Sequence, residues 1–357
     1  MAKKKRDAGE VSTLSPMDQL DKEITEEYGD GVFISANSIK ERHKTIIGFS
    51  PALNRILGGG ITSGSWTTLT GKPKIGKTTT ALYGAAKAQK PENGWLDKDG
   101  NLIPRNVYLA DAEGRIKDRD INGIPELITT PDRFRIISSS EDNILSAEKF
   151  LAIIDRIINT DRGAYIIIDS ISCLVEERRL AEIGAQTRGG QSKIVSDFCS
   201  RNATVVPIRD HIIICITHII ANTSGYGSPT VEKTPNSLLY QADFKLRALK
   251  EEEWKDSEGD EPYGKIIDWK CEFTGLRGPY AKCQSYLRFG KGIDEIQEMI
   301  NFAVDFGVIT KKAAWYSGEF EGCEPFKVCG MPALYELLST NQELYNKIAA
   351  GASEHFS

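Results

Sequence analysis

Long apolar runs are missing from this 357-residue chain. The longest, such as Tyr165 to Ile168 and Ile212 to Ile216, fall far short of the ~20 residues a membrane-spanning helix requires. No membrane-spanning helix is expected. Histidine is scarce, with four in all, and none stands at metal-ligand spacing from a cysteine or another histidine. The seven cysteines (Cys173, Cys199, Cys215, Cys271, Cys283, Cys323 and Cys329) form no CxxC pair. An odd number without that spacing argues against both a disulfide framework and a protein-held zinc site, so they read as packing residues. Strong charge of one sign is lacking too. Lys and Arg number 45 against 50 Asp and Glu, a net charge of −5 that excludes polycation behaviour but leaves room for a local basic surface. The start, Met1-Ala-Lys-Lys-Lys-Arg6, has neither the apolar stretch nor the small-residue cleavage site of a secretory signal, so an intracellular protein is expected. No internal repeat is found.

What is present is ordinary globular composition, 40% hydrophobic and 27% charged, at a length suited to one large domain or two small ones. Ser15-Pro16 followed by Met17, Leu20, Ile24 and Tyr28 predicts a capped amphipathic helix, ended by Gly29-Asp30-Gly31. Phe33-Ile34-Ser35-Ala36 is a short apolar stretch that reads as an arm packing on another surface. From Ile46 the chain alternates, with strands expected over Ser65 to Leu69, Asn106 to Ala110, Ala164 to Asp169 and Asp210 to Thr217, and helices over Lys77 to Lys90 and Ser146 to Asn159. That alternation predicts an α/β fold with a parallel sheet covered on both faces. In the second helix Phe150, Ile154, Ile157 and Ile158 share one stripe. Two glycine-bearing polar stretches, Glu182 to Ser192 and Ile219 to Ser237, read as loops, the second long enough to be functional or disordered. Lys250 to Gly264 reads as an acidic, solvated hairpin-like insertion. Amphipathic helices close the chain around Ile296 to Ala303 and around Leu334 to Leu338.

The sharpest signal is Gly71-Lys72-Pro73-Lys74-Ile75-Gly76-Lys77-Thr78, after an apolar strand and before an alanine-rich helix. Glycine lets backbone N–H groups wrap phosphates there, while Lys77 reaches the β/γ oxygens and Thr78 a Mg²⁺ ion. Nothing in the loop reads a base. Asp169 ends a buried strand, where doubly wound sheets carry ligands, and fits a Walker B carboxylate that holds the Mg²⁺ ion. Glu113 follows the strand ending at Ala110 and either orients the attacking water or is an ordinary loop carboxylate. His218 ends a strand at the start of the long loop, placed to touch a γ-phosphate or to serve structure alone. Arg188, Lys193 and Lys233 stand among Gly, Ser, Thr and Asn, a composition suited to phosphate-backbone contacts and equally to solvated surface.

Taken in order, these residues resemble the RecA family of strand-exchange recombinases, and especially its phage UvsX-like branch, over roughly residues 17 to 320. The segments that carry the resemblance are Leu53 to Ile61 with Gly64, Gly71 to Thr79, Asp111-Ala-Glu113, Ile166 to Ser170, Glu182-Ile-Gly184, Thr217-His218, Asn236-Ser-Leu238, Gly290 to Asp294 and Ala314-Trp-Tyr-Ser317. The resemblance implies a RecA-like P-loop ATPase core with a central mostly parallel sheet over residues 46–295, an N-terminal helix and interprotomer arm over 1–45, and a small C-terminal region over 296–357. It implies ATP and Mg²⁺ bound by Gly71 to Thr79, Asp169 and Ser170, with Glu113 as the catalytic glutamate. His218 matches the γ-phosphate sensor, which is glutamine in bacterial members and histidine in the phage branch.

By the same resemblance, Arg188, Gly189, Gly190 and Lys193 fall in a first DNA-binding loop, and Lys233, Thr234, Asn236 and Ser237 in a second. Phe33 and Ala36 satisfy the FxxA pattern that relatives dock on the next subunit, and Tyr240 matches an aromatic interface position. The family's two trans-acting lysines match Phe273 and Gly275 here. Arg277 in the following turn is the candidate replacement, against its plainer reading as a solvated arginine, with Lys270 and Lys282 as further candidates. The implied activity is ATP hydrolysis coupled to filament assembly on single-stranded DNA and pairing with a homologous duplex. Single-strand-binding and mediator proteins are the implied partners, and the implied location is the cytoplasm of a bacterium or phage-infected host. A hexameric helicase or clock-type ATPase on the same core, and a nonhydrolytic DNA-binding homologue, are the rival readings.

Overall fold

The computed structural model describes residues 15–40, 44–182, 190–222, 230–255, 259–276, 278 and 281–353. Two compact units divide the chain, Met1–His43 and Lys44–Ser357. In the first, helix α1 (Pro16–Tyr28) opens with a capping box in which Ser15 Oγ accepts from the Asp18 N–H at 3.2 Å, with Pro16 where an N–H would find no helical partner. No residue of α1 is buried, and of the apolar residues expected to seat this helix Met17, Leu20 and Tyr28 stand exposed and Ile24 is half-buried. Val32, Phe33 and Ile34 are exposed as well. Ala36 begins a short helix, α2 (Ala36–Lys40), so the expected arm turns helical at its last residue.

The second unit is built on a ten-stranded sheet. Its strands are β1 (Ser65–Gly71), β2 (Val107–Asp111), β3 (Phe134–Ser138), β4 (Tyr165–Asp169), β5 (Ile212–Ala221), β6 (Thr230–Glu232), β7 (Phe244–Trp254), β8 (Gly264–Phe273), β9 (Lys282–Arg288) and β10 (Gly292–Ile293). They run in the order β10-β9-β8-β7-β1-β5-β4-β2-β3, with β6 antiparallel on the outer half of β5. From β7 to β3 every neighbour is parallel. The expected parallel core is therefore present, extended by an antiparallel wing.

Period-two alternation sends Leu69, Leu109, Ile167, Ile212, Ile214 and Ile216 to one face, under helices α3 (Pro51–Leu57) and α4 (Lys77–Ala88). Trp66, Ala110, Ile166, Ile168, Ile213 and Cys215 go to the other, under α5 (Ala147–Thr160) and α6 (Gly190–Asn202). Both faces are apolar because both are covered, which is why these strands read as near-continuous hydrophobic runs. The α5 stripe buries Phe150, Ile154 and Ile158 as expected, with Ile157 at its margin and Ser146 Oγ capping the Lys149 N–H.

Two readings are corrected. The first polar stretch is partly helical, since α6 starts at Gly190 and Lys193 is exposed on that helix, not on a loop. In the second stretch, β5 continues to Ala221 and β6 returns from Thr230. The acidic insertion is a hairpin as expected, with its glutamates exposed, and it continues β7 and β8 of the main sheet, Trp254 packing on Tyr263 and Tyr286.

Beyond the sheet, α8 (Glu295–Asp305) joins later helices and a three-stranded sheet around Met299, Ile300, Ile309, Leu334, Leu338 and Ile348. Glu298 of α8 bolts this part to the core, accepting from Ser285 Oγ at 2.5 Å, the Tyr286 N–H at 3.1 Å and the Ala52 N–H at 3.0 Å. Burial pushes its carboxyl from 4.5 up to about 7, against the lowering effect of those donors. The folded value lies above the unfolded one, so the stability linked to the protonated form is complete below 4.5 and is lost as pH rises through about 7. A shift of this size corresponds to about 3 kcal/mol. The melting temperature of the parent relative to Glu298→Gln should therefore fall between pH 5 and pH 8, and a pH-independent difference would refute the linkage.

Candidate functional site

The carboxyl ends of the parallel strands converge on one edge of the sheet, where the register sets Gly71 beside His218 and Asp111 beside Asp169. The phosphate loop leaves β1 there. Lys74 has φ 63° and Gly76 has φ 107°, the left-handed region that a side chain resists. A Cβ on Gly76 would also lie 2.7 Å from Ile267 Cδ1, so a side chain there would have to displace that methyl as well as hold the strained φ. From the hairpin, Lys265 donates to the Lys74 carbonyl at 3.3 Å and to Glu251 at 2.5 Å.

Lys77 opens α4 and folds back over the loop, its Nζ donating to the Gly71 and Lys72 carbonyls at 3.1 and 2.7 Å. It is buried, and desolvation lowers its pKa to about 8 despite Asp169 and Glu113 nearby. Thr78 Oγ1 donates to Asp169 Oδ2 at 2.5 Å. Burial raises the Asp169 carboxyl to about 6, with the Thr78 bond opposing. A buried carboxylate joined to a hydroxyl is an oxygen pair waiting for a positive charge, and it fits a hard divalent cation such as Mg²⁺.

Glu113 sits on a turn held from below. Asp111 accepts from the N–H groups of Gly114, Arg115 and Ile116 at 2.8, 3.3 and 3.1 Å. The Ala112 and Glu113 amides bond the Asp169 carbonyl at 2.8 and 3.3 Å. Glu113 Oε1 then takes His218 Nε2 at 2.5 Å, Ser170 Oγ at 3.0 Å and Cys173 Sγ at 3.5 Å. The His218 bond, foremost, holds the Glu113 carboxyl well below its usual range against the cost of burial. Cys173 and then Glu113 push His218 up, so the pair stands as carboxylate and imidazolium. Arg115 lies 3.9 Å from the other oxygen of Glu113.

Ser172 links this pair to the returning chain. Its hydroxyl accepts from the His218 N–H at 2.9 Å and donates to the Lys233 carbonyl at 3.2 Å, while Lys233 Nζ reaches the Ser172 carbonyl at 3.3 Å. A second tie runs through Glu232, which accepts from Thr70 at 3.1 Å, Thr234 at 2.7 Å and Lys245 at 2.7 Å. Thr70 in turn meets Thr217 at 2.8 Å, and Lys245 meets Glu272 at 2.9 Å. The base of the second polar stretch is thus fastened to the strand that carries the phosphate loop.

Lys77, Thr78, Asp169, Ser170, Glu113 and His218 come together at this edge. Of the residues assigned to DNA, Arg188 and Gly189 lie outside the described residues. Gly190 packs so closely on buried Glu176 that a Cβ would lie 2.1 Å from its carboxylate. Lys193, Lys233 and Asn236 are exposed. Tyr240, on α7 (Asn236–Gln241), is 88% exposed, and Arg277 lies outside the described residues. Sequence reasoning missed Cys173, Ser172, Asp111 as a turn holder, and the Glu232–Lys245 tie. The cysteines are not all packing residues, because Cys173 borders the site and Cys329 is exposed. Among the described residues no helix is long and apolar enough to cross a membrane.

Comparison with protein-family models finds no match. Among curated proteins, the chain is 27% identical over 317 residues to Protein RecA of Thermotoga neapolitana, covering 87% of this chain and 83% of that one. It is 27% identical over 271 residues to Protein RecA of Chlorobaculum tepidum, covering 75% and 72%. To Protein RecA of Gloeobacter violaceus it is 24% identical over 340 residues, covering 93% and 86%. The similarity therefore runs through the core and is modest in degree.

Proposed function

We propose that this chain is an ATP-dependent DNA recombinase of the RecA family, of the phage UvsX-like branch, which assembles as a filament on single-stranded DNA and pairs it with a homologous duplex. The observation that carries this reading is the Glu113–His218 bond. It joins a carboxylate beside the phosphate loop to a strand that runs into the second polar stretch, so one contact spans the nucleotide edge and the proposed DNA loop. Lys77 would give up its two loop carbonyls for the β/γ-phosphates of ATP. Asp169 and Thr78 would hold Mg²⁺, which supplies neutralisation of phosphate charge when bound. Glu113, kept ionised, accepts a hydrogen bond from the attacking water and orients it. Its Oε1 is engaged by His218, Ser170 and Cys173. Turning His218 toward a γ-phosphate releases one of these bonds and biases the residues that follow β5, a two-state element set by ligand. Histidine at this position is what supports the phage branch.

Self-association is supported by the uncovered apolar face of α1 and by exposed Phe33. DNA contacts through Lys193, Lys233 and their neighbours would be to phosphates and therefore sequence-tolerant. The test is ATP hydrolysis with and without single-stranded DNA. Turnover should be slow alone, rise with DNA of any sequence, and lose that stimulation steeply with added salt. Hydrolysis indifferent to DNA would overturn the reading.

A further inference from the structure

Cys173 has no part in the chemistry proposed above, yet its sulfur lies 3.5 Å from Glu113 Oε1, and Glu113 is bonded to His218. One ligand atom from each of Glu113, Cys173 and His218 lies within 4.8 Å of the other two. We propose that these three side chains form an inhibitory site for a thiophilic divalent cation, with Zn²⁺ the chemical match. One sulfur, one imidazole nitrogen and one carboxylate oxygen are a borderline-soft set that suits zinc and disfavours Mg²⁺, which prefers oxygen alone. Three protein ligands leave a fourth position for water or a phosphate oxygen.

The ligands stand on backbone that is already fixed. Glu113 is held by the Asp169 carbonyl, Cys173 ends a single helical turn after β4, and His218 is pinned by Ser172. Their half-buried position at the sheet edge leaves a route from solvent. The cation replaces the hydrogen bonds that link the three side chains, and the thiol proton and the imidazolium proton pass to solvent. One usual support is missing: His218 Nδ1 is buried and finds no hydrogen-bond partner among the described residues. A ligating histidine normally donates from that atom, and its loss weakens a site by ~10–100-fold. The site therefore suits a reversible inhibitor and not a resident ion.

Occupancy of the site is independent of the proposed function, whereas inhibition rests on Glu113 orienting the water. Titrating the nucleotide-free chain with Co²⁺ separates the two. A thiolate-to-cobalt charge-transfer band, with visible bands of tetrahedral intensity, should appear in the parent and vanish in Cys173→Ala and Cys173→Ser, with Zn²⁺ displacing the cobalt. No such band, or a band unchanged in both variants, overturns the site. In the hydrolysis assay Zn²⁺ should inhibit reversibly, with a chelator restoring turnover, and Cys173→Ala should need at least ~10-fold more. A cobalt band without zinc inhibition would leave the site standing and remove Glu113 from its role.

Discussion

Lys77→Ala is expected to abolish DNA-stimulated ATP hydrolysis, with a loss on the order of 10²-fold or more, while leaving the chain folded. The lysine is buried at the mouth of the phosphate loop, and its two bonds go to main-chain carbonyls. Those carbonyls lose only a donor that water can replace when the side chain is cut, so the structural cost is small. The functional cost is large, because no other described cation is held by the loop in this way. Lys265 approaches from the hairpin but is tied to Glu251 and to the outer carbonyl of Lys74. ATP-dependent assembly should fail with hydrolysis. Hydrolysis and assembly near parental levels, with an unchanged melting temperature, would show that the phosphates bind elsewhere.

Lys245→Met is expected to act mainly through stability. Its ammonium is buried between Glu232 and Glu272, at 2.7 and 2.9 Å. A partner removed from a buried ion pair leaves uncompensated charge, typically a cost of ~3–5 kcal/mol. For a unit of this size that lowers the melting temperature by roughly 5–10 °C. Glu272 keeps Arg247 at 3.5 Å, whereas Glu232 keeps only the Thr70 and Thr234 hydroxyls, so Glu232 should carry most of the penalty. Adding Glu232→Gln should recover a large part of the loss. A melting temperature within a degree of the parent would mean that this tie does not secure the second polar stretch to β1.

Where periodicity and chemistry reinforced each other, the chain was legible. Gly71 to Thr78, Asp169 and Glu113 mark strand ends and His218 is the last residue of β5 paired with β1, and a parallel sheet brings such positions to one edge whatever their separation in sequence. The same logic fails for antiparallel and lateral contacts. Cys173 meets Glu113 and His218 because a single helical turn after β4 points its sulfur sideways along that edge. Pairwise spacing among cysteines and histidines could not have shown it. Lys245 and Glu232 are 13 residues apart across the α7 turn, a separation with no periodic signal that would pair them. Lys193 was assigned to a loop because glycines precede it, yet α6 begins at Gly190, where the absence of a side chain admits Glu176. The three-stranded sheet near the C-terminus escaped notice because its strands have only three or four residues each, too few to establish alternation.

Electron microscopy of the purified chain with ATP, Mg²⁺ and single-stranded DNA tests the central claim most directly. Helical filaments that follow the DNA, need nucleotide, and disappear when Phe33 is replaced by aspartate are the predicted result. Closed rings, or dispersed monomers under conditions where ATP is bound, would contradict it.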